Sequence, residues 1–351
     1  MMPQENGWFR PLHADDTGQA ASLRFLVVSD TQRPMPGRRP NHAPRRAIYR
    51  RLAEALRNDV PVFHVGDMVD RGGRASSWRR SFDALFWNDL LPEERRNFYP
   101  VPGNHEFKRH WLDPGEGDLR HFHARFPHLH GSTFYCLAHG DTAFVCMDSG
   151  SNSLVKLLRG ERWQNAGGEQ LRWLQSAVLP ELQAQVAAGR IRTLFLLFHK
   201  PAYATAGCMK NADSAAMLDR FATLRAAAPG RLAIVAVNGH IHTFAHIRPR
   251  KYMRQDAPLE QVVIGTGGGT QRGSRYFGAI RSPDGLDMYR RLKYDELTDT
   301  PGTNYEAISR LCRDAGHFGY LDVTVEERLV IRYMRYVVDA AAFTLDYEFV
   351  R

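Results

Sequence analysis

The chain has 351 residues, 43% of them hydrophobic and 24% charged, and a net charge of +9. This is the composition of a globular domain with a large core, and it excludes disordered, fibrous and membrane-spanning classes. The four cysteines, Cys136, Cys146, Cys208 and Cys312, are too few for a disulfide framework and lack zinc-type spacing.

Met1 to Ala21 mixes charged and polar residues with few apolar ones and carries no hydrophobic signal region. Residues 1–22 are therefore read as an N-terminal tail, and a cytoplasmic location is expected. Leu23–Ser29 reads as a buried strand. Between Arg33 and Arg51 lie seven arginines and no acid, and Arg71, Arg74, Arg79 and Arg80 form a second run. Such a surface favours anionic partners. It admits nucleic acid, although no nucleic-acid-binding motif accompanies it.

Pro44–Arg57 has helical spacing, Val62–Val65 is a second buried strand, and Ser76–Leu91 is expected to be helical. Phe98–Val101 is a third strand, ended by Pro102 and Gly103. Thr133–Leu137 and Ala143–Met147 read as a strand pair turning at His139, Gly140 and Asp141. Gly168–Val186 is an amphipathic helix, Leu194–Phe198 a strand, Met217–Ala228 a helix and Leu232–Val237 a strand. Gln261–Gly265 follows after a basic loop. Residues 282–317 are polar and poorly periodic, an expected insertion or flap, and Gly319–Val350 is strand-like with a turn near Glu326. Alternating strands and helices imply an α/β fold with a largely parallel sheet, and the strand-rich end suggests a second sheet packed on the first.

The chemistry-bearing residues sit just past strand ends. Asp30 and Gln32 follow the first strand; Gly66, Asp67 and Asp70 the second; Asn104, His105 and Glu106 the third. His199 follows Leu194–Phe198, and His240 and His242 follow Leu232–Val237. Sites in open α/β sheets form beyond the carboxyl ends of the strands. Turn chemistry alone has no reason to set ligand-capable residues after five strands. His110, His121, His123, His128 and His130 read as loop histidines that could line a pocket mouth, and Tyr203 could face a substrate. The glycine-rich turn Gly265–Gly269 could admit a close approach to the site, though it is no dinucleotide loop.

The blocks Asp30-Thr31-Gln32, Gly66-Asp67-Met68-Val69-Asp70, Gly103-Asn104-His105-Glu106, His199 and Gly239-His240-Ile241-His242 resemble the calcineurin-like metallophosphoesterase superfamily. The likeness spans about Leu23 to His242. Arg125-Phe126-Pro127, the run Phe144–Ser149 and the helix bearing Gln170, Trp173 and Leu174 are similar to the branch containing purple acid phosphatases. Gly66–Gly72 is similar instead to protein Ser/Thr phosphatases, but Gly-His-Ile-His favours the first branch.

The resemblance implies a four-layer α/β/β/α sandwich with two central mixed sheets, a single domain over 23–351, and a dimetal site at strand carboxyl ends. It implies that Asp67 bridges two divalent or mixed-valence ions. Asp30, Gln32 and His242 complete the first site, and Asn104, His199 and His240 the second. Hard oxygens with imidazole nitrogens suit manganese, iron or zinc. The family usually has His where this chain has Gln32, which implies looser binding or a harder ion at the first site. A metal-bound hydroxide is then expected to attack phosphorus, with His105 protonating the leaving group, the Asp70 carboxylate orienting His105 and raising its pKa, and Arg71 gripping the phosphate. The expected activity is a phosphomonoesterase acting on a phosphorylated anionic substrate. The alternatives are a phosphodiesterase acting on nucleotides or nucleic acid, and a phosphate-binding module with a decayed metal site.

Overall fold

The computed structural model describes residues 9–12, 22–33, 42–108, 118–150, 167–202, 212–228, 230–242, 244–249, 259–268, 305–308 and 318–351. In chain order the elements are β1 Phe9–Pro11, β2 Leu23–Val28, α1 His42–Arg57, β3 Val62–Val65, α2 Ala75–Ser81, β4 Phe98–Val101 and α3 Arg120–Arg125. Then come β5 Tyr135–His139, β6 Thr142–Cys146, α4 Gly167–Trp173, α5 Leu179–Ala187, β7 Thr193–Leu197, α6 Ala212–Ala222 and β8 Ala233–Asn238. The chain closes with β9 Phe244–Pro249, β10 Leu259–Ile264, β11 Tyr305–Ile308, β12 Phe318–Val325, β13 Leu329–Val337 and β14 Ala342–Val350.

Among the described residues these strands form two mixed sheets. One has six strands in the order β14-β13-β12-β2-β3-β4, and the other eight in the order β1-β5-β6-β7-β8-β10-β9-β11. In the six-stranded sheet β2, β3 and β4 run parallel, with Val27 opposite Phe63 and Phe63 opposite Tyr99. In the eight-stranded sheet β6, β7 and β8 run parallel, with Phe144 opposite Phe195 and Phe195 opposite Val235.

The sheets pack face to face through aromatic rings. Phe63 stacks on Phe144 at 4.7 Å, and Phe25 meets Phe195 edge-on at 5.0 Å. Alternation along the strands explains the layering. Phe144, Phe195, Leu197, Val235 and Val237 belong to the core between the sheets. Their neighbours Val145, Leu194, Leu196, Ile234 and Ala236 join the core that also holds Leu182, Val186, Leu218 and Phe221 of α5 and α6. The helix α1 buries Ile48, Tyr49, Leu52 and Leu56. The result is the expected four-layer sandwich.

Several expectations are refined. Within the segment read as a tail, Phe9–Pro11 adds an edge strand parallel to β5. Within the expected flap, Tyr305–Ile308 pairs with β9, while the rest of 282–317 apart from these residues lies outside the described residues. Phe244–Pro249 is a strand rather than the start of a basic loop, and its antiparallel pairing with β10 buries Phe244, Ala245 and Ile247. The expected helix Ser76–Leu91 stops at Ser81 and continues as tight turns over Asp83–Leu85 and Trp87–Asp89. Those turns send Phe86 onto Tyr49 at 5.1 Å and Trp87 onto Phe126 at 5.2 Å, adjacent side chains that one helix face could not both bury. The long helix near 168–186 is interrupted by a widened turn, Leu174–Val178. Pro180 has no N–H to continue the ladder through that point. No helix among the described residues is long and apolar enough to cross a membrane.

Candidate metal centre

Carboxyl ends of strands from both sheets converge on one point. The six-stranded sheet delivers Asp30 and Gln32 after β2, Asp67 after β3, and Asn104 and His105 after β4. The eight-stranded sheet delivers His199 after β7 and His240 and His242 after β8. All of these are buried or nearly so, with Asp30 and His199 fully enclosed.

Close approach of the loops is built into the backbone. Asp30, Asp67 and His240 adopt left-handed φ values of 58°, 59° and 68°, unusual for residues with side chains. Hydrogen bonds hold them there: Asp30 N–H donates to the Gly66 carbonyl and Gln32 N–H to the Asp67 carbonyl, both at 3.0 Å. His240 N–H donates to Asp30 Oδ2 at 2.8 Å across the two sheets. Gly66 has φ +93°, and a Cβ there would stand 2.6 Å from His199 Nδ1. A Cβ on Gly239 would collide with the Ser29 hydroxyl. Both positions accept only glycine because the sheets touch through them.

Two groups of donor atoms share one carboxylate. Asp67, His199 and His240 form the first, and Asp30, Asp67 and His242 the second; within each, the donor atoms lie within 4.8 Å of one another. His199 Nε2 is 3.2 Å from Asp67 Oδ2, and His242 Nε2 is 3.1 Å from Asp30 Oδ1. His199 Nδ1 lies 2.8 Å from the Val65 carbonyl, which can only accept, so the proton sits on Nδ1 when the ring is neutral. That leaves the Nε2 lone pair facing Asp67 and, at 3.2 Å, His240 Nδ1. Asn104 Oδ1 is buried and accepts no hydrogen bond.

The Gln32 amide is oriented by its surroundings. With its nitrogen donating to the carbonyls of Asp30 at 3.0 Å and Asp67 at 2.9 Å, both bonds form. Its oxygen then occupies the position 3.4 Å from Asp67 Oδ2 and 3.3 Å from His242 Nε2. There it either accepts from a protonated His242 Nε2 or ligates a cation held beside the Asp67 carboxylate. Clustered carboxylate oxygens, imidazole nitrogens, the Gln32 amide oxygen and the unpartnered Asn104 Oδ1 fit a pair of metal ions.

Electrostatics point the same way. Burial alone would raise the Asp67 pKa, but His199, His105 and His240 hold it well below the ordinary carboxylate value. Burial opposes a proton on His199, yet Asp67 raises its pKa to about 9. The field that keeps a proton there favours any cation among these carboxylates.

His105 N–H donates to Asp67 Oδ1 at 2.8 Å, and its ring Nε2 stands 3.8 Å from Asp67 Oδ2. The expected role of Asp70 is corrected here. Its backbone carbonyl, not its carboxylate, meets His105 Nδ1 at 2.9 Å, while the carboxylate pairs with Arg71 Nε at 3.1 Å. Burial accordingly lowers the His105 pKa, with Asp67 opposing, rather than a carboxylate of Asp70 raising it. Arg71 is partly exposed beside this loop.

Of the loop histidines that could line a pocket mouth, His128 lies away from the centre. His128 Nε2 lies 2.9 Å from the Phe98 carbonyl, at the amino end of β4 and so at the far end of that strand from Asn104. His121, His123 and His130 lie on or beside α3, and His110, Tyr203 and Gly269 are outside the described residues. Gly267 N–H donates to the Ser29 carbonyl at 2.9 Å, so the glycine-rich turn does approach the site.

The structure gives roles to three residues to which the sequence assigned none. Glu106 accepts from the N–H groups of Asp67, Met68, Val69 and Gly103 at 2.7–3.2 Å, stitching two ligand loops together. Burial and then Asp67 push its pKa up to about 8, against the bonds from the N–H groups of Gly103 and Asp67. Arg45, one of the arginines expected at the surface, is buried and donates to the Thr31 carbonyl at 2.8 Å and the Ser81 carbonyl at 3.0 Å. It braces the residue between Asp30 and Gln32, and its spacing from Ile48, Tyr49 and Leu52 marks it as facing inward. Asp148 follows the apolar strand β6 just as the other site residues follow theirs.

Residues 23–244 match the family of calcineurin-like phosphoesterases. Among solved structures the chain is similar to purple acid phosphatase PPD1 from yellow lupin (Lupinus luteus) seeds, with a TM-score of 0.59 and 16% identity, covering 95% of this chain and 54% of that one. It is also similar to GAP50, the anchor in the inner membrane complex of Plasmodium, with a TM-score of 0.50 and 12% identity, covering 93% and 88%. At these identities the likeness is one of fold, and the chain spans about half the length of the lupin phosphatase. No curated protein matches.

Proposed function

Since the chain belongs to the calcineurin-like phosphoesterase family, we propose that it is a metal-dependent hydrolase that cleaves phosphate monoesters at a dimetal centre in which the Asp67 carboxylate would serve both ions. In this reading Asp30, Gln32 and His242 would hold one cation with Asp67, and Asn104, His199 and His240 the other. The observation that carries it is the pair of donor groups sharing one carboxylate. When bound, two cations supply the Lewis acidity that activates water and neutralises phosphate oxygens. The mixed donor set suits manganese, iron or zinc.

The chain's own residues do the rest. Asp67 is held rigid by His105 N–H and by the Glu106 brace, so the two donor groups keep their spacing. His105 points Nε2 into the centre because Nδ1 is tied to the Asp70 carbonyl. Since Nδ1 holds its proton toward that carbonyl, Nε2 carries one only in the imidazolium form, which burial disfavours and Asp67 favours; in that form the ring gives the Nε2 proton to the departing oxygen and returns to neutral. Arg71, steadied by Asp70, offers its remaining guanidinium donors to the phosphate. The orientation of Gln32 counts against a decayed site, because its carbonyl oxygen serves as well as the cluster requires.

The test compares p-nitrophenyl phosphate with bis-p-nitrophenyl phosphate, using metal-stripped protein resupplied with manganese, iron, zinc or magnesium. Metal-restored turnover favouring the monoester is expected, with a loss of ~1,000-fold in Asp67→Asn. Faster turnover of the diester would replace the monoesterase by a diesterase. Absence of turnover with every metal in folded protein would shift the site to a binding role.

A further inference from the structure

Thr31 separates the ligand candidates Asp30 and Gln32 and is fully buried. Three side chains hold it. Its carbonyl accepts from Arg45 Nε at 2.8 Å, and its hydroxyl accepts from Tyr49 at 2.8 Å and lies 2.9 Å from His64 Nε2. Arg45 and Tyr49 stand one turn apart on α1, so a single face of that helix grips Thr31 twice. The guanidinium is anchored in turn on the Ser81 carbonyl at 3.0 Å. The glycine-rich turn closes the other side. A Cβ on Gly268 would collide with the Arg45 side chain, and one on Gly267 would stand 2.7 Å from Thr31 Cγ2.

An arginine is a demanding choice for this position. Arg45 is only 2% exposed, and among the described residues its guanidinium meets two carbonyls and the Tyr49 ring, at 6.0 Å, but no carboxylate. An aliphatic side chain would fill the same space without burying a charge. What the arginine adds is a fixed position for the carbonyls it spans. That position matters for the neighbour of Thr31. Gln32 brings a neutral amide oxygen to a site otherwise made of carboxylates and imidazole. A neutral donor contributes most when it is held in place before the ion arrives. The other donor group is held by other elements. Asp67 accepts from His105 N–H at 2.8 Å, and His199 is tied to the Val65 carbonyl at 2.8 Å.

We propose that Arg45 and Tyr49 are positioning residues for the cation site of Asp30, Gln32 and His242. By fixing the carbonyl and the hydroxyl of Thr31 they hold the two flanking ligands in register, and the site of Asn104, His199 and His240 does not depend on them. The inference rests on the dimetal reading and extends it. It makes α1, which carries no ligand, a determinant of how tightly one ion of the pair is bound.

The experiment titrates full-length, metal-stripped protein with manganese by calorimetry and records the unfolding midpoint of each variant. Gln32→Ala marks the binding step that belongs to the Asp30 site. In Arg45→Met that step weakens ~10- to 100-fold and in Tyr49→Phe ~3- to 10-fold, while the other step stays within ~2-fold. Arg45→Lys, which keeps the charge but spans only one carbonyl, falls between wild type and Arg45→Met. Leu52→Ala opens a cavity beneath the same helix and removes no bond to Thr31, so it lowers the midpoint and leaves both steps unchanged. Adding Arg45→Met to Gln32→Ala weakens binding less than it does in wild type, because a ligand it positions is already gone. Equal weakening of both steps, an unchanged Asp30-site step in Arg45→Met, or a loss in Leu52→Ala that matches Arg45→Met overturns the proposal. A wild type that binds fewer than two manganese ions overturns the dimetal reading, and the proposal with it. If Arg45→Met fails to fold, Tyr49→Phe, which keeps the ring stacked on Phe86, carries the same comparison.

Discussion

The two sheets contribute different chemistry to one centre. The six-stranded sheet supplies Asp30, Gln32, Asp67 and Asn104, all oxygen donors, on loops tied to one another by Glu106 and Arg45. The eight-stranded sheet supplies His199, His240 and His242, all nitrogen donors. Neither half makes a binding site by itself. Each donor group needs Asp67 from one sheet and imidazoles from the other. The centre is therefore a reporter of how the sheets are packed, and the Phe25, Phe63, Phe144 and Phe195 cluster beneath it sets that packing.

The largest effect should come from emptying the nitrogen half where it touches the oxygen half most closely. His199 bonds the Val65 carbonyl of the opposite sheet and faces Asp67 at 3.2 Å. His199→Ala is expected to lower kcat/KM by ~1,000-fold or more and to reduce bound manganese from two ions per chain to one, measured by elemental analysis. Two ions retained would show that the halves do not divide the ligands as described.

The seam itself can be broken without touching a donor. Gly66→Ala places a methyl group 2.6 Å from His199 Nδ1 on a backbone with φ +93°. Backbone strain and overpacking together should cost about 2–4 kcal/mol, read as a fall in denaturant midpoint. Metal affinity should fall with it, since the methyl pushes the sheets apart. Alanine at Gly131, where φ is +74° and nothing lies within 4 Å, should cost only the backbone strain and spare the metals.

A gentler change moves one donor from the oxygen class to the nitrogen class. Gln32→His puts an imidazole where the amide oxygen faces Asp67 and His242. The preference should shift by ~10-fold from manganese toward zinc, measured by competitive metal binding. An unchanged order of affinities would mean that Gln32 is not a ligand.

The two halves also differed in how much of them could be read beforehand. Val62–Val65 and Phe98–Val101 are short apolar strands buried on both faces and closed by glycine or proline, so pattern alone locates them to the residue. Donor residues follow the strand ends, and the structure brings Asp30, Gln32, Asp67, His199, His240 and His242 within reach of one another. What pattern could not show was anything decided across the sheets. The orientation of the Gln32 amide depends on the carbonyls of Asp30 and Asp67, which are far apart in the chain. Arg45 looked like part of a basic surface because charge is more conspicuous than helical phase, although its position falls on the buried face of α1. Lys200 and Asp148 stood in plain view next to recognised blocks, but burial without a partner is a property of the packed molecule. The breaks in α2 and before Pro180 arise from tertiary packing and a missing N–H, which override a sound helical period.

The smallest effect at neutral pH concerns the floor of the oxygen half. His64 lies on β3, fully buried, with Nε2 2.9 Å from Thr31 Oγ1 and Nδ1 unpaired. Tyr49 donates to the same hydroxyl at 2.8 Å. Burial lowers the His64 pKa from 6.5 to about 3, so the folded chain keeps the ring neutral where the unfolded chain would protonate it. The unfolded state therefore binds the extra proton between these values, and stability present above pH 6.5 is lost as the pH falls toward 3. By pH 5 the loss attributable to this group should approach about 2 kcal/mol. His64→Gln, which cannot titrate and can still bond Thr31, should flatten the acid side of a stability profile measured by urea unfolding between pH 7 and 5. An acid slope equal to that of the wild type would assign the loss to other groups and free His64 from any part in holding Thr31 beneath the centre.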